Sequence, residues 1–364
     1  MSSRPTWARW VTRISLVLAG IALVITIRNT GLDALGHYFK MIGWWWIAVV
    51  VLEISITTLD ALAIRSFCSP EQAQLSFGSA ILSQLAGRSV NAVTPGGNLG
   101  EAVKVAVLTE HVSQSRAVST ILLYNVVSFT VELAVVAIAA PIMALLMDMP
   151  TTLRYVTFAT GVACFAFAIG LYLLVRRGML ASVVNLVARL RIIKAERQAR
   201  WLDKIRPVDD KMRLVDGARN RDRLIGIAAV TASRLTSMTL SMLILHAIGH
   251  AITLEFVAAY TVGGFVIYMA STLVPMGLGI SESGNYWMFG ALAKGVAEKG
   301  RAEAQGVALV IARRCTLVLY AGIGLFLVTA SATVQRAREK AKAARTAPPE
   351  AAPELATVTN VSQT

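Results

Sequence analysis

Long apolar stretches recur along the chain and alternate with short polar segments. A helix needs about 20 mostly apolar residues to cross the hydrocarbon core of a bilayer. We therefore predict an all-α fold, a polytopic membrane helix bundle. The uninterrupted stretches are Trp44–Ile64, Ala117–Met147, Leu153–Val175, Leu224–Ala247 and Gln305–Ala330.

Another apolar stretch, Ile14–Ile27, follows Arg4, Arg9 and Arg13 near the N-terminus. Basic residues before a short apolar run are typical of a signal peptide, but no small-residue cleavage site follows this one. We interpret the stretch as an uncleaved first helix. The predicted organisation is a basic cytoplasmic tail (1–13), an integral membrane domain (14–335) and a disordered cytoplasmic tail (336–364).

The composition agrees with a membrane protein and excludes one class of partner. Only 15% of the residues are charged and 55% are hydrophobic, whereas about 25% of the residues in soluble domains are charged. The net charge of +14 is concentrated between the apolar stretches and at the two ends. Because no basic stripe belongs to a soluble recognition fold, we expect no nucleic-acid partner.

Basic residues also predict which segments are cytoplasmic. The longest polar segment, 176–223, contains fourteen basic and six acidic residues, and loops rich in Lys and Arg stay inside. Its first part, Met179–Ile193, alternates apolar and basic positions at helical spacing. This pattern indicates either an amphipathic helix lying on anionic headgroups or a plain orientation signal. Both termini are expected in the cytoplasm, on the inner side of the cell membrane.

Two further apolar regions, 75–108 and 254–293, are interrupted by Pro and Gly. They contain similar turns, TPGGNLGE at Thr94–Glu101 and VPMGLGISE at Val274–Glu282. If each uninterrupted stretch crosses once, the first region begins and ends inside and the second begins and ends outside. We therefore predict two oppositely oriented re-entrant hairpins in an inverted repeat, which is a signature of secondary transporters.

The broken turns are candidate ligand sites. Unsatisfied backbone is costly in hydrocarbon, so such breaks occur only within protein or beside a cavity. A half-helix that starts after a break directs its N–H groups towards a bound anion, and a lipid phosphate would fit. The alternative is a structural kink. The residues that remove donors or permit close turns are Pro95, Gly96, Gly97, Gly100, Pro275, Gly277 and Gly279.

The apolar regions also contain five acidic and five basic residues. Charge within a membrane is costly and marks functional or paired positions. Several of these residues could serve only to hold helices together, Arg314 could snorkel, and Lys104 could lie near the inner interface. Arginine is favoured for phosphate because its planar group binds two oxygens at once. The ten residues are Glu53, Asp60, Glu101, Glu132, Glu282, Arg88, Lys104, Arg234, Arg313 and Arg314.

No cofactor or metal site is predicted. His246 and His250 have the i, i+4 spacing of helical metal ligands, but only Glu255 is close enough in sequence to be a third ligand. The segment GLGISESG lacks the βαβ surroundings of a dinucleotide site. The three cysteines are far apart and form no CxxC pair.

The stretch GRSVNAVTPGGNLGEAVKVAVL (Gly87–Leu108), together with VPMGLGISE, resembles the lysylphosphatidylglycerol synthase transmembrane-region family, also called the flippase-like domain family. The resemblance covers roughly 14–330 and implies lipid translocation. No soluble domain follows residue 330, so we expect no aminoacyltransferase activity in this chain. The matching positions are Arg88, Asn91, Thr94, Pro95, Gly96, Gly97, Gly100, Glu101, Pro275, Gly277, Gly279 and Glu282.

The leading hypothesis is a lipid flippase or transporter that holds an anionic or aminoacylated headgroup in a central polar cavity. Arg88 and the N–H groups would hold the headgroup, and Arg234 and Arg313 would complete the lining. One alternative is an intramembrane lipid-modifying enzyme. Another is a scaffold for a separate lipid-synthesis enzyme, docked on 176–223. Membrane lipids are the expected partners of a flippase or transporter, and a separate lipid-synthesis enzyme is the expected partner of a scaffold.

Overall fold

The computed structural model describes residues 40–91, 99–189, 195–214, 220–272, 277, 279–293 and 298–316. All of them lie within one compact unit, Met1–Leu325. The described residues are helical, with no strand among them. The predicted first helix, both terminal tails and the end of the last span lie outside the described residues.

The helices follow one another with short connections. A 3₁₀ turn, Glu71–Gln74, stands between α1 and α2. The helices are α1 (Trp45–Phe67), α2 (Phe77–Asn91), α3 (Leu99–Leu108), α4 (Gln114–Leu146), α5 (Thr151–Arg177), α6 (Met179–Arg189), α7 (Ala195–Leu214), α8 (Asn220–Ala247), α9 (Leu254–Ser271), α10 (Ile280–Leu292) and α11 (298–316).

Five of these helices are long and apolar enough to cross a membrane. Four of them, α1, α4, α5 and α8, coincide with uninterrupted stretches of the sequence, so those predictions are confirmed. The fifth is α9, with 18 residues, which the interrupted pattern of 254–293 did not predict as a span. The chain is therefore a multi-pass helical membrane protein.

Helices α1 and α8 form the centre of the bundle and run in opposite directions. Phe67 at the end of α1 packs beside Gly226 at the start of α8, and Asp60 meets Ser233 two turns further in. Two apolar cores lie along this pair. One surrounds Ile64 and Phe67, and the other surrounds Val49 and Ile244.

Each interrupted region contains two helices that pack back on one another. In hairpin 1 (α2, residues 92–98 and α3), a Cβ atom on Gly100 would lie 2.0 Å from the Gly87 carbonyl oxygen. In hairpin 2 (α9, residues 272–279 and α10), Ser271 hydrogen-bonds Ser281 over 2.9 Å. The helices of each hairpin are therefore antiparallel, and hairpin 1 depends on a backbone approach that only glycine permits.

The polar segment 176–223 is largely helical, which the sequence predicted only for its first part. Helix α6 confirms the helix expected near Met179. Helix α7 was missed because its composition is strongly polar and Pro207 lies inside it. Its Asp209 accepts hydrogen bonds from the Leu180 and Ala181 N–H groups at 3.1 and 2.8 Å, so α7 caps the N-terminus of α6.

Candidate functional site

A set of polar and charged side chains lies between the two apolar cores, and we call it the polar layer. It draws on α1, α2, α3, α4 and α8. Its members are Glu53, Thr57, Asp60, Gln84, Arg88, Asn91, Glu101, Lys104, Tyr124, Asn125, Glu132, Ser233 and Arg234.

Glu53 and Arg88 join α1 to α2 at one end of the polar layer. Arg88 Nη2 lies 3.1 Å from Glu53 Oε2, and Arg88 Nη1 donates to Thr57 Oγ1 at 3.1 Å. The Glu53 side chain is 5% exposed, whereas that of Arg88 is 31% exposed. Arg88 therefore neutralises a buried carboxylate while its side chain stays partly exposed.

Asp60 is the most enclosed acidic group of the polar layer. Gln84 Nε2 donates to its Oδ2 at 2.8 Å, and Ser233 Oγ donates to its Oδ1 at 2.6 Å. Arg234 Nη2 also reaches Oδ1, at 3.3 Å. Both carboxylate oxygens are thus satisfied, which a buried charge requires. Asp60 holds α1, α2 and α8 together.

Arg234 bridges Asp60 to α4. Its Nη2 donates to the Tyr124 hydroxyl at 2.8 Å, and its Nη1 lies 3.7 Å from Glu132 Oε1. The second distance is too long for a hydrogen bond. Tyr268 of α9 lies within electrostatic range of Arg234, Glu132 and Glu101. Hairpin 2 therefore approaches the polar layer at its α4 side.

The inner end of hairpin 1 is tied together by Asn91 and Glu101. Asn91 Oδ1 accepts from the Gly100 N–H at 2.7 Å, and Asn91 Nδ2 donates to Glu101 Oε1 at 2.8 Å. Lys104 and Asn125 also bind the Glu101 carboxylate, at 2.9 and 2.8 Å. The Gly100 N–H group, which the sequence assigned to a bound anion, is engaged by Asn91.

Hairpin 2 carries a separate polar group at the start of α10. Gly277 and Gly279 have φ angles of +61° and +80°, which favour glycine. Glu282 accepts a hydrogen bond from the Gly279 N–H at 2.9 Å and forms an ion pair with Arg314. The carboxylate of Glu282 therefore occupies this helix N-terminus, where negative charge is favoured.

Arg313 stands next to Arg314 on α11 but has different surroundings. Its Nη1 donates to the buried Ser241 hydroxyl of α8. No carboxylate pairs with Arg313 among the residues that the structure describes. Ser241 lies seven residues after Arg234, which is about 10 Å along the same face of α8. Arg313 is thus a partly buried cation two turns from the polar layer.

The structure brings four of the predicted site residues together and separates others from them. Arg88, Asn91, Glu101 and Arg234 share the polar layer, and Gly100 packs beneath it. Gly277, Gly279, Glu282 and Arg313 belong to hairpin 2 and α11. Predicted residues that fall outside the described part are Thr94, Pro95, Gly96, Gly97 and Pro275.

Sequence reasoning missed Thr57, Gln84, Tyr124, Asn125 and Ser233. A signal existed for Gln84, because positions 84, 88 and 91 fall on one face of α2 at helical spacing. The others are isolated polar residues in apolar helices, and only the packing of α2, α4 and α8 against α1 shows their partners.

The histidines take part in aromatic packing. His246 lies edge-on to Trp45 at 5.5 Å, and His250 lies 4.3 Å from Phe256 between ring centroids. His250 Nδ1 also hydrogen-bonds Gln305 at 2.7 Å. In the described ranges, no three potential metal ligands cluster.

These features define a multi-pass α-helical membrane protein with a charged layer inside its bundle. A family model described as "Lysylphosphatidylglycerol synthase TM region" matches residues 12–324. The chain therefore belongs to that family, and the resemblance seen in the sequence is confirmed. No curated protein matches the chain, and no solved structure matches it.

Proposed function

We propose that this protein binds and translocates a lipid, or a similar amphiphile, whose headgroup is anionic or aminoacylated. The observation that carries the proposal is the polar layer, which places seven charged side chains between two apolar cores. Charged residues are rare inside membrane domains because burying them is costly, and those that are present commonly mark a substrate or ion pathway.

The ends of the two hairpins support a transport pathway. Hairpin 1 starts and finishes at one end of the bundle, because Arg65 binds the Leu75 carbonyl and Glu71 binds Ser113. Hairpin 2 starts and finishes at the other end, where Phe256 packs on Phe289. This arrangement supports two re-entrant hairpins that enter from opposite membrane faces.

The lengths of the helices in hairpin 1 agree with this arrangement. With 15 and 10 residues, α2 and α3 extend about 22 and 15 Å. Both are shorter than the roughly 30 Å hydrocarbon core. Asn91 at the end of α2 and Gly100 at the start of α3 would then lie within the bilayer, at the polar layer, where a headgroup can pass.

Arg313 is the strongest candidate for contact with an anionic headgroup. Arg88 neutralises Glu53 and Arg314 neutralises Glu282, whereas Arg313 contacts the uncharged Ser241. A phosphate oxygen would supply the negative charge that the described surroundings of Arg313 lack. Arg88, whose side chain is 31% exposed, is the second candidate.

The test is lipid translocation by the purified protein in liposomes. Labelled anionic, zwitterionic and aminoacylated lipids are compared for the wild type, Arg313→Gln and Asp203→Asn. Asp203 lies on α7 with its side chain 75% exposed, so Asp203→Asn is the control. We expect at least about a tenfold loss for Arg313→Gln, equal to about 1.4 kcal/mol of binding or barrier energy.

Two results would contradict the proposal. If a well-folded wild type moves none of these lipids, transport is refuted and the enzyme and scaffold hypotheses remain. If Arg313→Gln transports as fast as Asp203→Asn, Arg313 has no part in headgroup recognition. A chemically altered lipid recovered from the liposomes would favour the enzyme.

A further inference from the structure

The ten charged residues of the apolar regions balance in number but not in space. The polar layer holds four carboxylates, Glu53, Asp60, Glu101 and Glu132, against three cations. Around hairpin 2, Glu282 pairs with Arg314 and Arg313 stands beside it, while a further buried carboxylate, Glu303 of α11, packs against Gly290 of α10. Apolar positions 14–27, 92–98, 273–276 and 317–335 contain no Asp, Glu, Lys or Arg. They therefore add no charge to either group.

Among the described residues, Glu132 is the carboxylate of the polar layer with the fewest hydrogen-bond and ion-pair partners. Glu53 has Arg88, Asp60 has three donors, and Glu101 has Lys104 and two amides. Among the described residues, Arg234 is the one ion-pair partner of Glu132, at 3.7 Å, and Arg234 already binds Asp60 and Tyr124. The Arg234 guanidinium thus lies between the carboxylates of Asp60 and Glu132, and it is closer to Asp60.

The position of Glu132 in the membrane makes the lack of hydrogen-bond donors and of a cation of its own costly. The residue lies near the middle of α4 (Gln114–Leu146), and its side chain is 28% exposed. An ionised carboxylate at the centre of a membrane helix is costly unless it is paired or hydrated. A single added positive charge removes the surplus of the polar layer.

A proton fits this position better than a metal ion. Hard cations need six or more oxygen ligands, and the described groups around Glu132 offer one carboxylate beside a guanidinium. A proton needs only one carboxylate oxygen. Its binding removes the surplus charge without further ligands.

We infer that Glu132 is a proton-binding site that couples lipid movement to proton movement. The inference rests on the proposed transport function for its coupling, but not for proton binding itself. The proton binds the Glu132 carboxylate from one side of the membrane and leaves to the other side. No bond of the lipid changes.

The charged and titratable groups near Glu132 come from four helices. Arg234 of α8 lies 3.7 Å away and also binds Asp60 of α1. Tyr268 of α9 lies within electrostatic range of both Glu132 and Glu101 of α3. A headgroup cation that approaches this cluster would favour release of the proton.

The first experiment measures proton binding without transport. Infrared difference spectra of the purified full chain in lipid follow the carboxylic-acid band while pH is raised through neutrality. Wild type, Glu132→Gln, Glu132→Asp and the control Asp203→Asn are compared. We expect a band that disappears with rising pH in the wild type and the control, shifts in Glu132→Asp, and is absent in Glu132→Gln. An unchanged band in a folded Glu132→Gln would overturn the assignment.

The second experiment measures coupling in liposomes with an imposed pH gradient. We expect the gradient to change wild-type lipid translocation several-fold and to leave the residual translocation by Glu132→Gln unchanged. Wild-type transport that ignores the proton gradient, or that follows a sodium gradient instead, overturns coupling. If no lipid moves at all, the coupling fails with the transport proposal, while the infrared result still decides proton binding. Glu132→Asp, which keeps the carboxyl group, separates loss of the proton site from misfolding.

Discussion

At the scale of single residues, the Arg88–Glu53 pair can be tested by stability and transport together. Arg88→Ala removes the cation from a carboxylate that is 3% exposed as a residue. Breaking a buried pair costs about 3–5 kcal/mol. We expect a smaller loss, roughly 2–3 kcal/mol, because Arg88 itself is partly exposed. The double variant Glu53→Gln/Arg88→Gln should regain most of the stability.

Transport by the double variant decides the role of Arg88. Thermal unfolding in lipid measures stability, and the liposome assay measures transport. A stable double variant without transport supports headgroup contact by Arg88. Full transport by that variant would mean that Arg88 only stabilises the structure, as the ion-pair partner of Glu53.

The sequence predicted which charged residues lie in the membrane region, but not which of them pair with one another. Apolar surroundings identified Arg234 and Glu132 from the sequence alone. Their pairing depends on α8 lying against α1 and α4, which are far away in the chain. Spacing along one helix predicts a shared face, whereas partners on other helices follow only from packing.

At the scale of the elements, the close approach within hairpin 1 should tolerate no side chain. A Cβ on Gly100 would lie 2.0 Å from the Gly87 carbonyl oxygen and 2.3 Å from Asn91 Oδ1. We expect Gly100→Ala to lower stability by about 1–3 kcal/mol and to release Asn91 from the α3 N-terminus.

Gly170→Ala is the matched control for that change, measured by thermal unfolding in the same lipid. Gly170 lies in α5, and a Cβ there meets nothing within 4 Å. Alanine inside a helix should then be neutral or stabilise by up to about 1 kcal/mol. Equal effects of the two substitutions would refute the steric role of Gly100.

The helices of the structure show which elements the sequence pattern can predict. The apolar stretches predicted α1, α4, α5 and α8 because a lipid-facing helix must be apolar along its whole length. Helix α7 escaped prediction because its contacts are polar ones, with Arg116 donating to the Lys211 carbonyl at 3.2 Å. The Pro and Gly breaks located both antiparallel helix pairs, although the residues at each break lie largely outside the described part and the re-entrant topology stays a prediction.

At the scale of the whole molecule, one end of the bundle is joined by Glu71. Its carboxylate accepts from the Ser113 N–H at 3.0 Å and lies 3.6 Å from Lys211 Nζ and 3.8 Å from Arg116 Nε. Nearby, Ser69 and Gln72 bind Asp222. The segments 65–75, 109–116 and 176–223, all predicted to be cytoplasmic, therefore meet at the same end.

This junction should make stability depend on acid pH. Partial burial acts to raise the pKa of Glu71, but the Ser113 hydrogen bonds and the charges of Lys211 and Arg116 outweigh it and hold the pKa below its ordinary value. The stabilisation is therefore complete above the ordinary carboxyl pKa of about 4.3 and is lost as pH falls through the lower folded pKa. Because the Glu71 side chain is 24% exposed and solvent screens its ion pairs, we expect less than about 1 kcal/mol. In thermal unfolding, Glu71→Gln should be less stable than the wild type at neutral pH, and the two should converge in acid, whereas Asp203→Asn should follow the wild type throughout. A gap between Glu71→Gln and the wild type that persists in acid would mean that the carboxylate charge does not hold these segments together.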